Sequence, residues 1–218
     1  MTTAPSATLG PWERRRLRTS LEIEQTGLEL ISRHGLHNVT VEQVAAHAGI
    51  SSRTYFRYFR NVPDILTRVP LRETARTSRL LLARPPGEPL LDAFRAVFEE
   101  NDAGELEIDD PELRRQTLAL WTEIMRQEPD TASAQSHALP IMTSTFEEAI
   151  RSRVRVDDVT AGVLASAIAG VIWFSYLRWI EHPGSSSLSA FLSTAFERLA
   201  EFNATTRPRS RTRARRNS

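Results

Sequence analysis

The chain has 218 residues, 40% of them hydrophobic and 25% charged, proportions that suit a water-soluble protein able to bury a sizeable core. It contains no cysteine, which excludes disulfides and thiolate metal sites, and Met1 to Gly10 carry no apolar signal core, so the expected location is the cytoplasm. The net charge of +1 hides a strong asymmetry. Every basic residue is arginine; residues 1–84 hold 13 Arg against 7 acids, residues 85–206 hold 9 against 20, and the last twelve residues add six Arg and no acid. A basic N-terminal third joined to an acidic remainder suggests that a polyanion is met at one end.

Hydrophobic periodicity is helical almost throughout, and no run alternates as a half-buried strand does. A first helix is expected from about Glu13 to Arg33, with Ile23, Gly27, Leu30 and Ile31 on one face and His34-Gly35 as its stop. Arg14, Arg15, Arg16 and Arg18 then form a basic arm ahead of it, suited to phosphates or a minor groove, or simply solvated. Thr40-Val41-Glu42-Gln43 reads as a capping box, with Val39 and Val44 placed for a hydrophobic staple. This second helix ends at Ala48-Gly49. A third begins at Ser51 or Ser52, both good caps, and runs to about Phe59.

Next comes a long segment from Pro63 to Ala83, which Pro70 should break or kink. Arg84-Pro85-Pro86-Gly87 is a turn. Further helices are expected over Pro89–Glu100, Pro111–Gln127, Ala132–Arg153, Asp157–Glu181 and Leu188–Phe202, separated by an acidic loop at Asn101–Asp110 and a linker at Pro183–Ser187. From Ala204 onward, arginine with small polar residues reads as a disordered tail, a nonspecific polycation. The fold class is therefore all-α. Three divisions are expected: a basic N-terminal domain over 1–62, a larger helical domain over 63–203, and the tail over 204–218.

Two short helices joined by a tight glycine turn form a helix-turn-helix. On the second of them Tyr55 and Phe59 face inward, leaving Ser52, Arg53, Phe56, Arg57 and Arg60 on the opposite side. Three arginines and a ring suit a major groove, where a guanidinium can fork onto guanine O6 and N7. Thr40 and the helix N-termini are placed to hold phosphates, which positions the unit without reading sequence.

Residues from about Arg18 to Leu66 resemble the DNA-binding domain of the tetracycline-repressor (TetR) family. The match runs in order through Ile23, Leu28-Glu29-Leu30-Ile31, His34-Gly35, Val39 to Ala45, Ala48-Gly49-Ile50-Ser51 and Thr54-Tyr55-Phe56-Arg57-Tyr58-Phe59. The resemblance implies a phosphate-contacting cap at Thr40, base-reading or backbone-adjacent roles for Ser51, Ser52, Arg53, Thr54 and Arg57, and a phosphate-contacting ring at Tyr58. Two positions depart from the family. Phe56 stands where tyrosine is usual, losing a phosphate hydrogen bond, and Val62 replaces a common lysine; Arg57 and Arg60 can compensate electrostatically.

The family resemblance further implies a homodimer on a palindromic operator and a C-terminal domain that dimerises and binds a small effector, with repression as the usual outcome. Val159 to Leu177 carries no charge, but its small residues favour a buried helix over a membrane span. Gly162, Ala165 and Ala169, with Trp179, and Leu192, Phe196 and Leu199 on the last helix, would build a two-fold four-helix interface or an intramolecular core. Phe94, Phe98, Leu118, Trp121, Met125, Met142, Phe146 and Trp173 are candidates for an apolar cavity. The layout, including the Phe56–Phe59 segment and the Trp121 helix, is similar to that of the mycofactocin-associated subgroup, which implies an acyl or other hydrophobic ligand. An enzyme is disfavoured: the five histidines lack metal-ligand spacing, and no phosphate loop, dinucleotide fingerprint or nucleophile elbow is present. No cofactor is expected. A helical interaction module without DNA binding is the other alternative, and it leaves the arginine face unexplained.

Overall fold

A computed structural model describes residues 10–99, 111–128, 138–182 and 187–205. Among them the chain is helical: α1 (Pro11–His34), a 3-10 turn (Leu36–Asn38), α2 (Val41–His47), α3 (Ser52–Phe56), α4 (Pro63–Ala83), α5 (Leu90–Glu99), α6 (Pro111–Gln127), α7 (Ala138–Arg153), α8 (Asp158–Glu181) and α9 (Leu188–Thr205). The expected acidic loop, most of the linker, the start of the Ala132 helix and the tail from residue 206 lie outside the described residues. Ala204 and Thr205 belong to α9 rather than to a tail.

Local chemistry accounts for the first boundaries. Pro11 sits in the first turn of α1, where a missing N–H costs nothing. The arginines expected ahead of the helix are thus part of it, and Arg16 lies over the exposed Trp12 ring at 5.6 Å. Gly35 ends α1 at φ +80, its N–H donating to the Ile31 carbonyl at 2.8 Å. That backbone conformation excludes ordinary side chains.

α4 runs through Pro70 without the break that was one of the two expected outcomes. α8 is long and apolar enough to cross a membrane by length and composition, yet it packs against α6, α7 and α9.

Buried apolar side chains gather into two clusters. One joins α1–α3 and the first turns of α4 to Trp121, Ile124 and Met125 of α6 and to Tyr176 and Ile180 of α8. The other holds Leu81, Phe94, Phe98, Met142, Phe146, Ala165, Ile168, Ala169, Leu192 and Phe196. α6 therefore lies against the N-terminal unit, packing on α1 and α4. Polar contacts reinforce this: the Thr117 hydroxyl donates to the Gln25 side-chain oxygen at 3.1 Å, and Glu128 Oε1 accepts the Leu36 N–H at 2.8 Å.

Candidate nucleic-acid interface and effector cavity

The helix-turn-helix is assembled by short-range bonds. Thr40 Oγ1 accepts the Gln43 N–H at 3.3 Å, while Gln43 Oε1 accepts the Thr40 N–H at 2.8 Å, closing the expected capping box. Val39 and Val44 are buried in one cluster, as a staple requires. Gly49, at φ +67, makes the turn. Ser51 is the cap of α3: its Oγ accepts the Thr54 N–H at 3.1 Å and lies 3.0 Å from the Thr54 hydroxyl.

α3 is shorter than expected. It stops at Phe56, and Arg57 and Tyr58 close it with tighter bonds to Thr54 and Tyr55. The reason lies in Tyr55, fully buried, whose hydroxyl donates to the Asn61 carbonyl at 2.9 Å and folds the chain back. Burial also raises the Tyr55 pKa well above that of a free phenol, so the ring stays a neutral donor. Arg60 consequently sits beyond the helix, in the bend before α4, where its N–H meets Asp64 at 3.1 Å.

On the outward side Arg53, Phe56, Arg57 and Arg60 are exposed, and Phe56 is 57% accessible, set edge-on against Tyr55 at 5.8 Å. Among the described residues none of Arg53, Arg57 and Arg60 ion-pairs with a carboxylate. Arg57 instead lies over the Tyr58 ring at 5.2 Å. Thr40 is exposed, while Ser52, Thr54 and Tyr58 are half-buried. Ser51 and Thr54 share their hydroxyls in the cap, so their first role is to start α3.

A cavity of about 550 Å³ opens between α4, α6, α7, α8 and α9. Phe98, Leu118, Trp121, Met142, Phe146 and Trp173 line it. Phe94 does not; it is core, with its ring 5.5 Å from Phe146 and 6.0 Å from Phe196. Met125 likewise belongs to the core under the N-terminal unit. Lining residues that pattern alone missed are Val69, Pro70, Thr74 and Thr77 of α4, Thr122 of α6, and Ile172, Tyr176 and Trp179 of α8. Three of the four tryptophans thus face this space, and Tyr176 stacks on Trp121 at 4.7 Å. At the polar edge Arg114 grips Glu73 through three bonds of 2.6–3.2 Å.

The expected interface residues divide. Ala165, Ala169, Leu192 and Phe196 are buried in the subunit's own core, and Trp179 packs against the other cluster. The four buried ones are not available to a second copy, while Trp179 is only partly buried. Gly162 and Leu199 remain partly open, and a side chain added at Gly162 would meet open space. The apolar surface of α8 lies elsewhere, at Val159 (76% accessible), Val163 (63%) and Phe174 (60%). These fall on one face with Gly170, where an added Cβ also meets open space.

Residues 23–69 match the family described as bacterial regulatory proteins, tetR family. The HTH-type transcriptional regulator TcmR of Streptomyces glaucescens is 35% identical over 100 residues, 44% of this chain and 44% of its own length. The proposed mycofactocin biosynthesis transcriptional regulator MftR of Mycobacterium tuberculosis is 28% identical over 190 residues, 84% of this chain and 90% of its own. Among solved structures, the fatty acid degradation regulator FadR from Bacillus halodurans shares the fold, with a TM-score of 0.51, 16% identity and coverage of 88% of this chain and 96% of that one. The helix-turn-helix built from Thr40 to Phe59, the matched segment and these relatives agree: residues 23–69 are a DNA-binding domain of the tetR family, and the chain around them is similar to transcriptional regulators.

Proposed function

We propose that the protein binds operator DNA as a homodimer through α3 and releases it when a small apolar effector enters the central cavity. The division of labour follows the charge: residues 1–62 meet DNA, and residues 63–203 bind effector and partner. The observation that carries this reading is the set of exposed guanidinium groups at Arg53, Arg57 and Arg60, none of them ion-paired with a carboxylate among the described residues, beside a capped helix-turn-helix. A cation without a partner keeps its full reach for an external anion, and phosphate contacts made in this way release counterions. Arg53 and Phe56 are best placed for base edges, with the Phe56 ring against a thymine methyl. Thr40 and Tyr58 hold the backbone.

The open apolar face of α8 supports the dimer. Val159, Val163 and Phe174 would be covered by the same face of a second copy, as two-fold symmetry requires. Two recognition helices then meet major grooves about 34–36 Å apart, which predicts a palindromic site. The cavity supports the effector: its volume lies in the usual ligand range of roughly 300–1,000 Å³. Its aromatic and aliphatic walls suit a hydrophobic body, and an acyl chain is one such class. Repression follows if bound effector favours the state that does not fit DNA, by its differential affinity for the two states. The protein works in the cytoplasm, where its DNA is.

The test is a mobility shift on the DNA upstream of its own gene, over a range of salt. Sequence-selective retention by the wild type is expected. Replacing Arg57 and Arg60 together by glutamine should reduce the salt slope by about two. Selective binding with an unchanged slope would remove these arginines from the interface, and no selective binding would remove the function.

A further inference from the structure

Pro70 sits inside α4 and cannot donate a backbone hydrogen bond, so the carbonyl of Leu66, four residues earlier, loses its helical partner. Leu66 is buried, out of reach of water. A buried carbonyl without a donor is destabilising, and the helix would be expected to break there. It does not, because the indole N–H of Trp121 on α6 donates to the Leu66 carbonyl at 2.9 Å. Both residues of this arrangement, Pro70 and Trp121, also line the central cavity. On the other side, Leu66 packs in the same buried cluster as Tyr55 and Phe59, the residues that seat α3.

We propose that Pro70 and Trp121 form a joint through which the cavity wall sets the first turns of α4 and, with them, the placement of the recognition helix. Trp121 is a positioning residue. Its ring meets whatever occupies the cavity, and its N–H holds the carbonyl that the proline deprives of its usual helical donor. An ordinary residue at position 70 would supply that donor internally and make the first turns of α4 independent of α6. The proline keeps the bond open for a side chain that a cavity occupant can reach. This proposal rests on the regulatory reading above.

A double-mutant cycle on the full chain tests it, using Trp121→Phe, Pro70→Ala and both together, with operator affinity and the urea midpoint as readouts. Phenylalanine keeps a ring in the wall and removes only the donor. Trp121→Phe is expected to weaken operator binding by about tenfold, a usual size for coupling between sites. Adding Pro70→Ala should restore affinity to within about threefold of wild type, because the new N–H at residue 70 serves Leu66. A tryptophan that merely fills space would not be rescued by a change on another helix. Unaltered affinity in Trp121→Phe, or losses that multiply in the double variant, would overturn the joint. If the wild type binds no operator, the regulatory reading fails by itself. The urea midpoints then decide the joint alone: rescue in the double variant sustains it, and additive losses end it.

Discussion

The arginines of the recognition segment and those of the helical body carry the same group and live in opposite surroundings. Arg53, Arg57 and Arg60 reach no carboxylate among the described residues. Arg84, Arg114, Arg126, Arg151 and Arg178 each lie beside one. Arg153 goes further. Only 3% of its side chain is accessible, it sits 3.6 Å from Glu88, and it donates to the carbonyls of Leu81, Arg84, Pro85 and Glu88. One set stands exposed and clear of carboxylates among the described residues, and the other is paired within the fold. Charge totals do not separate these roles; the presence of a partner does.

The comparison can be broken at either end. The largest effect is expected at Arg153. Replacing it with methionine leaves the carbonyls of Leu81, Arg84, Pro85 and Glu88 without their shared donor, while the Glu88 carboxylate keeps Arg84, and should lower unfolding free energy by about 3–5 kcal/mol. Urea denaturation reads this, and the salt dependence of DNA binding should stay as in the wild type. A loss below about 1 kcal/mol would show that the buried arginine fastens nothing.

Arg53→Ala comes next and should behave in the reverse way. It removes no internal bond, so stability should stay within about 0.5 kcal/mol of wild type. Operator affinity should fall by about 1–3 kcal/mol, roughly ten- to a hundredfold, with relaxed preference at one base pair. An equal loss on every sequence would reduce Arg53 to a phosphate contact.

Thr40→Ala sharpens the line between positioning and reading. Losing the cap should cost about 1 kcal/mol of stability. DNA affinity should weaken evenly across sequences, measured on operator and scrambled duplexes side by side.

The smallest effect is a pH dependence far from the DNA. Asp157 caps α8 and accepts the Thr160 N–H at 2.9 Å and its hydroxyl at 2.8 Å. These bonds hold its carboxyl below the ordinary aspartate value, the backbone bond first and the hydroxyl second. The folded chain therefore releases this proton more readily than the unfolded one. Its contribution is complete above the ordinary carboxylate range and is lost as pH falls through the lowered folded value. Asp157→Asn keeps a neutral cap and should flatten that acid limb in thermal unfolding; an unchanged limb would assign it to other carboxylates.

What was legible depended on the range of the interaction. The capping box at Thr40 and Gln43, the glycine turn at 49 and the Ser51 cap each close within three or four residues, so spacing alone located them. α3 was overextended because what ends it is a bond from Tyr55 to Asn61, a side chain reaching past the helix. That Pro70 leaves α4 unbroken was not legible, because the donor that serves Leu66 in its place, Trp121, lies 51 positions away in the chain. The cavity was half legible. Aromatic residues announced themselves, but Thr74, Thr77 and Thr122 read as ordinary polar positions until α4 and α6 were brought together. The faces of α8 were not legible at all, since a helix apolar on every side gives no periodic sign of which side is inward.

By itself, then, the order of residues determined that the chain is helical, where its reading head lies and which way its arginines point. Those properties arise from contacts a few residues apart. Tertiary packing decided which small residues of α8 are sealed in the core and which are left open at its surface. It also decided that a helix containing a proline stays whole and that a cavity residue, Trp121, holds the carbonyl of Leu66. These depend on surfaces meeting across the fold, and no local pattern records which surface will arrive.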